Sequence, residues 1–180
     1  MKYIALLREI NISGKNKIAM SELKKEFTNL EYKKVTTYLN SGNVVFESDI
    51  DDKNIIKNTI QSMIKDKFNF DIPTYVMTSQ ELEELINHCP DWWGKDNKEI
   101  YNNIIFIIPP TTYNEVVNVI GSPNEYEKTQ EYKNNIFWSF DLKNYRKSNW
   151  WNKTASTNIS DKITIRTANT MKKVLEICKK

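Results

Sequence analysis

The amino-acid sequence predicts an α+β protein built from two tandem ferredoxin-like units (α-β plaits of order βαββαβ) with an extra C-terminal helix. Two observations support this fold class. The same order of strands and helices can be assigned twice along the 180 residues, although no sequence repeat is visible. The chain is 39% hydrophobic and contains only four glycines and five prolines, so it can form packed cores and is not of low complexity.

The first half of the chain carries the first predicted plait. Residues 3–7 form a nearly continuous apolar run, which is typical of a buried strand. A helix follows, with Ser21 as its predicted N-cap. Turn residues at 40–43 then predict a hairpin. The remaining elements are a helix from about 51 and a strand at 73–77. We expect the apolar faces of these elements to form one core that contains Leu6, Phe27, Val45, Ile60 and Ile64.

A helix connects this unit to the next one. Thr78 and Glu81 form a capping-box pattern at its start, and we expect it to end by residues 88–90. The charged segment that follows, with its two tryptophans, predicts a linker or an Ω-like loop. The predicted domains are therefore 1–90 for the first unit with its following helix, 91–101 for the linker, and 102–180 for the second unit with the C-terminal helix.

The second half repeats the order of elements. Thr112 and Glu115 predict another capping box, and Gly121 has the position of a C-cap glycine. The other predicted elements are strands at 103–108, 126–132, 136–140 and 162–166, a helix at 141–153 and a final helix marked by Met171, Val174, Leu175 and Cys178.

Charge and cysteine usage limit the classes of function. The net charge is +3, but residues 143–180 hold ten basic and two acidic residues. This basic segment either attracts phosphate or nucleic acid, or it is an ordinary solvated surface. Cys89 and Cys178 lack CxxC spacing, so we expect reduced thiols and a cytoplasmic protein. No signal pattern and no membrane-length apolar run is present, so we expect no membrane association.

Polar residues gather after the first strand and in the first hairpin turn. We expect the ends of neighbouring strands to bring them together as a binding site for a phosphate-bearing ligand, because lysines and a helix start lie in the same loop. The loop lacks the upstream glycine and the Ser/Thr of a P-loop. A polar turn held by its own asparagines is an equally open interpretation. The candidate residues are Arg8, Asn11, Lys15, Lys17, Ser41 and Asn43.

Other chemistry has less support. The single histidine, His88, has no Cys/His partners at metal-ligand spacing, and no nucleophile motif is present. No cofactor is implied. Residues 145–153 mix bases, aromatics and amides as nucleic-acid surfaces do, but we expect Trp150 or Trp151 to pack in the core.

Four segments occur in an order similar to that in a known family: LLREIN, GKNKIAMSEL, TYLNSGNVVF and TIRTANTMKKVLEI. The chain resembles the domain-of-unknown-function 1697 family of bacterial proteins from Tyr3 to Cys178. The resemblance implies two α-β plaits and no established biochemical function. It adds Arg166 and Asn169 as ligand-binding candidates, in a string where the family tends to Arg-Asn-Trp-Asn-Thr. Glu9 stands where the family favours glycine, and it adds a negative charge to the loop.

The function that the sequence favours is binding of a phosphate-bearing ligand, either nucleic acid or a nucleotide, near the end of the first strand. One alternative is an enzyme that acts on a small polar metabolite through Arg8, Glu9 and the amides. Another is a structural or interaction module with no small ligand. The sequence does not predict the oligomeric state.

Overall fold

The computed structural model describes residues 1–180. It confirms a mixed α+β class, with two four-stranded antiparallel sheets and six α-helices. The chain divides into two compact units: Met1–Glu83 with Val174–Lys180, and Glu84–Lys173. None of the helices combines the length and the apolar character that crossing a membrane requires.

The first unit contains a sheet of order β2-β3-β1-β4, in which every neighbouring pair is antiparallel. The central strand β1 therefore pairs with β3 on one side and β4 on the other. The bounds are β1 Lys2–Leu7, α1 Met20–Asn29, β2 Lys33–Tyr38, β3 Asn43–Glu47, α2 Lys53–Phe68 and β4 Thr74–Thr78, followed by α3 Ser79–Asn87.

The core of the first unit lies on one face of this sheet, against α1 and α2. Phe27, Ile60 and Ile64 belong to it as predicted. Leu6 and Val45 are buried but do not belong to it, so this part of the prediction is wrong. Successive side chains of a strand point to opposite faces, and Tyr3, Ala5, Leu7, Val44 and Phe46 occupy the core side. A strand that is apolar on both faces carries no sign of which face meets the helices.

Local capping explains two of the helix starts in this unit. The Asp52 carboxylate accepts a hydrogen bond from Asn54 N at 2.7 Å and caps α2. Thr78 and Glu81 form reciprocal backbone–side-chain bonds, as the capping-box pattern predicts. The predicted cap of α1 is wrong: the N-cap is Ala19, which makes no side-chain bond, and Ser21 lies inside the helix.

The second unit has a sheet of order β6-β7-β5-β8, again antiparallel throughout. Its central strand β5 starts at residue 100, earlier than the predicted 103. The bounds are β5 Ile100–Ile107, α4 Tyr113–Ile120, β6 Glu127–Tyr132, β7 Asn135–Asp141, α5 Asn149–Ser156, β8 Ile163–Thr167 and α6 Ala168–Cys178, with 3-10 turns at Tyr145–Lys147 and Ser160–Lys162.

Polar caps also set the ends of elements in this unit. Thr112 and Glu115 form the predicted capping box of α4, and Gly121 ends that helix at a φ of 83°. The predicted helix at 141–153 starts later, at Asn149. The Asp141 carboxylate accepts a bond from Lys143 N and turns the chain after β7, and Ser148 then caps α5.

Large aromatic side chains fill the second unit. Trp138 and Trp150 are buried against the helices, whereas Trp151 remains exposed. The prediction that Trp150 or Trp151 packs in the core is therefore confirmed by Trp150. In the segment predicted as a linker or loop, Trp93 is buried and its indole N–H donates to the carbonyl oxygen of Asn103 at 2.7 Å.

Candidate functional site

The C-terminal end of β1 and the β2–β3 turn lie at the same end of the strands of the first sheet. Because β1 and β3 are antiparallel, Leu6 lies opposite Asn43 in the register. Leu7 N donates to the carbonyl oxygen of Gly42 at 2.8 Å. The loop that follows β1 therefore starts directly beside the hairpin turn.

The β1–α1 loop is compact because five of its residues have left-handed backbone conformations: Glu9, Asn11, Ser13, Gly14 and Asn16. Asn11 organises this loop. Its side-chain oxygen accepts from Ile18 N at 2.8 Å, and its amide nitrogen donates to the carbonyl oxygens of Ile18 at 2.8 Å and Asn40 at 3.0 Å. Short polar side chains tolerate this backbone region and bond to nearby main chain.

The β2–β3 turn packs closely against the loop. Gly42 has a φ of 80°, and a Cβ there would lie 2.8 Å from Leu7 Cβ and from Ile10 Cδ1. Only glycine fits this approach. The buried Asn43 side chain donates to Tyr38 O at 2.9 Å and to Ser41 Oγ at 3.1 Å. Ser41 and Asn43 thus hold the turn together.

A shallow groove of about 460 Å³ lies between the loop and the turn. We call it the loop–turn groove. Its lining residues are Asn11, Gly14, Lys17, Ile18, Ala19, Met20 and Asn40. The start of α1 forms part of its wall. The first hydrogen bond of that helix runs from Leu23 N to Ala19 O, and no side chain caps it. The preceding N–H groups are therefore available at the groove.

The charged side chains around the loop differ in their pairing. Arg8 and Glu9 form an ion pair of 2.5 Å, and Arg8 N also donates to Pro73 O at 3.0 Å. Lys15 and Lys17 are exposed and form no ion pair. The structure therefore brings Asn11 and Lys17 to the groove with the turn of Ser41 and Asn43 beside it, whereas Arg8 is engaged by its neighbour.

The other two candidates belong to the second unit. Arg166 lies on β8, and its guanidinium donates to Thr164 Oγ1 and to Ile165 O, each at 2.9 Å. Burial lowers the pKa of this side chain to about 10. Asn169, in the first turn of α6, lines a cavity of about 550 Å³ together with Lys95 and Lys172. Neither residue lines the loop–turn groove.

The equivalent edge of the second unit is closed by its own side chains. Asn134, in the β6–β7 turn, accepts from Tyr113 N at 2.7 Å and donates to Thr111 O at 3.1 Å. Glu115 accepts from Thr112 N at 2.7 Å, and this bond lowers the pKa of the glutamate. The amides of Thr112, Tyr113 and Glu115 at the start of α4 therefore have acceptors within the chain, whereas the first three amides of α1 have none.

Sequence reasoning missed the contribution of Asn40 and of Ala19–Met20 to the groove. Asn40 acts through its main-chain oxygen, which no residue type reveals. A signal for Ala19 was present, since alanine is a poor N-cap and leaves helix amides without a partner.

The side chains form no cluster suited to bind a metal ion. No group of three or more His, Cys, Asp or Glu side chains is placed to hold a metal ion. His88 stacks on Tyr132 at 4.5 Å between ring centroids, and its Nδ1 lies 2.8 Å from the carbonyl oxygen of Glu84. His88 therefore lies just after α3, with its ring against the last turn of that helix and stacked on Tyr132.

Comparison with known proteins shows to which family the chain belongs. The sequence profile of a family described as "Protein of unknown function (DUF1697)" matches residues 1–137. The chain belongs to the DUF1697 family. The predicted family is thereby confirmed, and the match covers residues 1–137 of the predicted span from Tyr3 to Cys178. This DUF1697 protein is also similar to the conserved bacterial protein SP0830 from Streptococcus pneumoniae, with 29% identity over 98% of both chains and a TM-score of 0.86. No curated protein matches it.

Proposed function

We propose that the loop–turn groove binds a phosphate-bearing ligand, either a nucleic acid or a nucleotide. The observation that carries this proposal is the open start of α1. The amides of Met20, Ser21 and Glu22 have no acceptor in the chain, and Lys17 lies in the same groove. Free N–H groups and the helix dipole both favour an anion at that position.

The contrast with α4 supports this proposal. At the start of α4, the Thr112 hydroxyl and the Glu115 carboxylate supply the acceptors, and Asn134 supplies another. At the start of α1, Ala19 has no side-chain acceptor, and the first-turn Glu22 makes no capping bond. The acceptors that complete α1 must therefore come from outside the chain, as water or as an anionic ligand.

The charge of the loop fits a phosphate. Lys15 and Lys17 extend from the loop with no acidic partner, and the acid of the loop, Glu9, is paired with Arg8. The loop is therefore net positive while its single carboxylate is occupied. Lysine ammonium groups contact phosphates as point charges.

Salt dependence tests the proposal directly. We would titrate single-stranded RNA, single-stranded DNA and a nucleotide panel at low and high salt, with wild type and with Lys15→Ala/Lys17→Ala. Binding should weaken with salt, and the double variant should reduce the slope of log affinity against log salt by about 1.5, because each lost phosphate contact contributes about 0.7–0.9.

A matched control is available on the adjacent helix. Lys24 and Lys25 are exposed on α1 and make no ion pair, so Lys24→Ala/Lys25→Ala removes the same charge outside the groove. Apart from a small effect of the lost charge, this variant should keep the wild-type slope of log affinity against log salt. Salt-insensitive binding, or equal losses in the two double variants, would remove the loop as the phosphate contact.

One observation favours a second candidate, a structural or interaction module. Asn11 and Asn43 use their side chains for bonds within the chain. These bonds alone account for a polar loop in a protein that has no small ligand. Absence of binding to every nucleic acid and nucleotide tested would favour this candidate. The enzyme acting through Arg8 and Glu9 stays a prediction.

For the architecture, we propose that each sheet with its helices is a ferredoxin-like unit. The order βαββαβ in each half and the two equivalent sheet orders support this. The domain boundaries at residues 90 and 102 and the cytoplasmic location stay predictions.

A further inference from the structure

A separate cleft lies within the second unit, at the start of β5. Its volume is about 350 Å³, which is enough for one small ring system. The half-buried rings of Trp92 and Tyr126 form part of its lining, and polar side chains from two paired strands form another part. We call it the β5–β7 cleft.

Asn102 and Ser139 give this cleft a defined pattern of hydrogen-bonding groups. They are direct register partners on β5 and β7, and Ser139 Oγ donates to Asn102 Oδ1 at 2.6 Å. Ser139 is only 4% exposed. The bond leaves the amide NH2 of Asn102 without an acceptor in the chain, while Ser139 Oγ can still accept. An unused donor and an unused acceptor therefore lie side by side in the cleft lining.

The charges of the lining exclude strong attraction of an anion. The lining contains two lysines, Lys95 and Lys128, and three acidic residues, Glu125, Glu127 and Asp141. Hydrogen bonds from Lys143 N and Asn144 lower the pKa of Asp141, so this carboxylate is ionised at neutral pH. The cleft therefore suits a neutral ligand better than a phosphate.

We propose that the β5–β7 cleft binds the planar heteroaromatic ring of a nucleobase, stacked on Trp92 and Tyr126 and hydrogen-bonded by Asn102 and Ser139. Adjacent donors and acceptors along a base edge match the pair that these two residues offer. Aromatic side chains stack on the faces of bases. The base can belong to a free nucleoside or nucleotide, or to a single-stranded nucleic acid. The proposal does not depend on the loop–turn groove.

Binding of unphosphorylated nucleosides tests this proposal. We would measure saturation-transfer NMR and calorimetric titrations of the full chain with adenosine, guanosine, cytidine and uridine. At least one should bind more tightly than about 10 mM. Its triphosphate should bind through the cleft no more tightly than the nucleoside, and the nucleoside affinity should not change between low and high salt, because the cleft contacts no phosphate.

Variants locate the binding. Asn102→Asp keeps the acceptor for Ser139 but removes the free donor, and Trp92→Ala removes a stacking ring; each should weaken nucleoside binding about tenfold or more. Trp151→Phe is the control, because Trp151 is an exposed tryptophan outside the cleft lining and a phenyl ring keeps its contact with Phe140. It should leave the affinity unchanged, as should Lys15→Ala/Lys17→Ala. Melting temperatures verify that each variant is folded.

Two results would overturn the proposal. One is the absence of any signal from all four nucleosides and from single-stranded RNA with wild type. The other is wild-type affinity in both folded cleft variants. If single-stranded RNA alone binds and Trp92→Ala weakens it, the proposal holds and the base is read within a strand. A double lysine variant that loses phosphate binding while keeping nucleoside binding would separate this cleft from the loop–turn groove.

Discussion

The side-chain amide nitrogen of Asn11 donates a hydrogen bond to the main-chain carbonyl oxygen of Asn40, 3.0 Å away. This bond connects the β1–α1 loop to the β2–β3 turn. The same side chain also holds both backbone groups of Ile18. One residue thus fixes the loop, the adjacent turn and the approach to α1.

Replacement of Asn11 should be costly. Asn11→Ala removes these bonds and places alanine at a φ of 56°, so we expect a loss of about 2–4 kcal/mol in the free energy of unfolding. Asn40→Ala is the control, because Asn40 contributes its main-chain oxygen and keeps it. Urea denaturation measures both. Equal effects in the two variants would contradict the assignment of Asn11 as the organising residue.

Gly42 and Gly14 both have a positive φ angle, but they should respond differently to substitution. Gly42→Ala places a methyl group 2.8 Å from Leu7 and Ile10, whereas Gly14→Ala, at a φ of 77°, meets nothing within 4 Å. Both variants carry the left-handed strain of about 1–2 kcal/mol. We expect Gly42→Ala to lose about 1–3 kcal/mol more, from overpacking. Thermal or urea unfolding of the pair measures the difference, and similar losses would show that the turn can move away.

Truncation of Phe27 tests the first core. Phe27 is fully buried and its ring lies 5.4 Å from that of Phe46 and 6.0 Å from that of Tyr32, between centroids. Phe27→Ala should cost about 3–5 kcal/mol. Leu39→Ala, at an exposed position, should change stability by less than about 0.5 kcal/mol. A loss below about 1 kcal/mol for Phe27→Ala would be incompatible with this core.

Glu81 should make stability depend on acid pH. Burial raises the pKa of Glu81, but hydrogen bonds from Lys53 and Thr78 outweigh it, and the net shift is downward from 4.5. A carboxyl group with a lowered pKa in the folded state stabilises above its unfolded pKa, and this stabilisation is lost as pH falls through the folded pKa. The loss therefore occurs below about pH 4.5.

The variant Glu81→Gln measures that contribution. Between pH 7 and pH 3 its melting temperature should fall less than that of wild type, because the titrating group is gone. Glu22→Gln is the control, since Glu22 is exposed and forms no side-chain hydrogen bond. An identical pH dependence in wild type and Glu81→Gln would refute the role of Glu81.

Sequence patterns predicted well those features that depend on nearby residues. The capping boxes Thr78–Glu81 and Thr112–Glu115 and the C-cap at Gly121 all form as expected. Each needs only a few consecutive residues, so its signal is complete in the sequence. The incorrect cap at Ser21 shows the limit of this approach, because α1 begins after an alanine that provides no cap.

The sequence did not predict which face of a buried strand packs against the helices. Leu6 and Leu7 are adjacent and both fully buried, yet only Leu7 joins the core against the helices. Alternation identifies a face only when one side of the strand is polar. Arg8, predicted as a ligand contact, forms an ion pair with its neighbour Glu9, and the ligand contact stays a prediction.

The sequence by itself determined most elements, their order and the capped helix ends at Thr78, Thr112 and Gly121, because propensity, capping and turn chemistry act over a few residues. The tertiary structure decided which loop meets which turn. Antiparallel pairing of β1 with β3 brought Asn11 to Asn40 across 29 positions of the chain and placed the uncapped start of α1 beside Lys17. Such contacts depend on strand direction and register, and the whole sheet sets these through long-range packing.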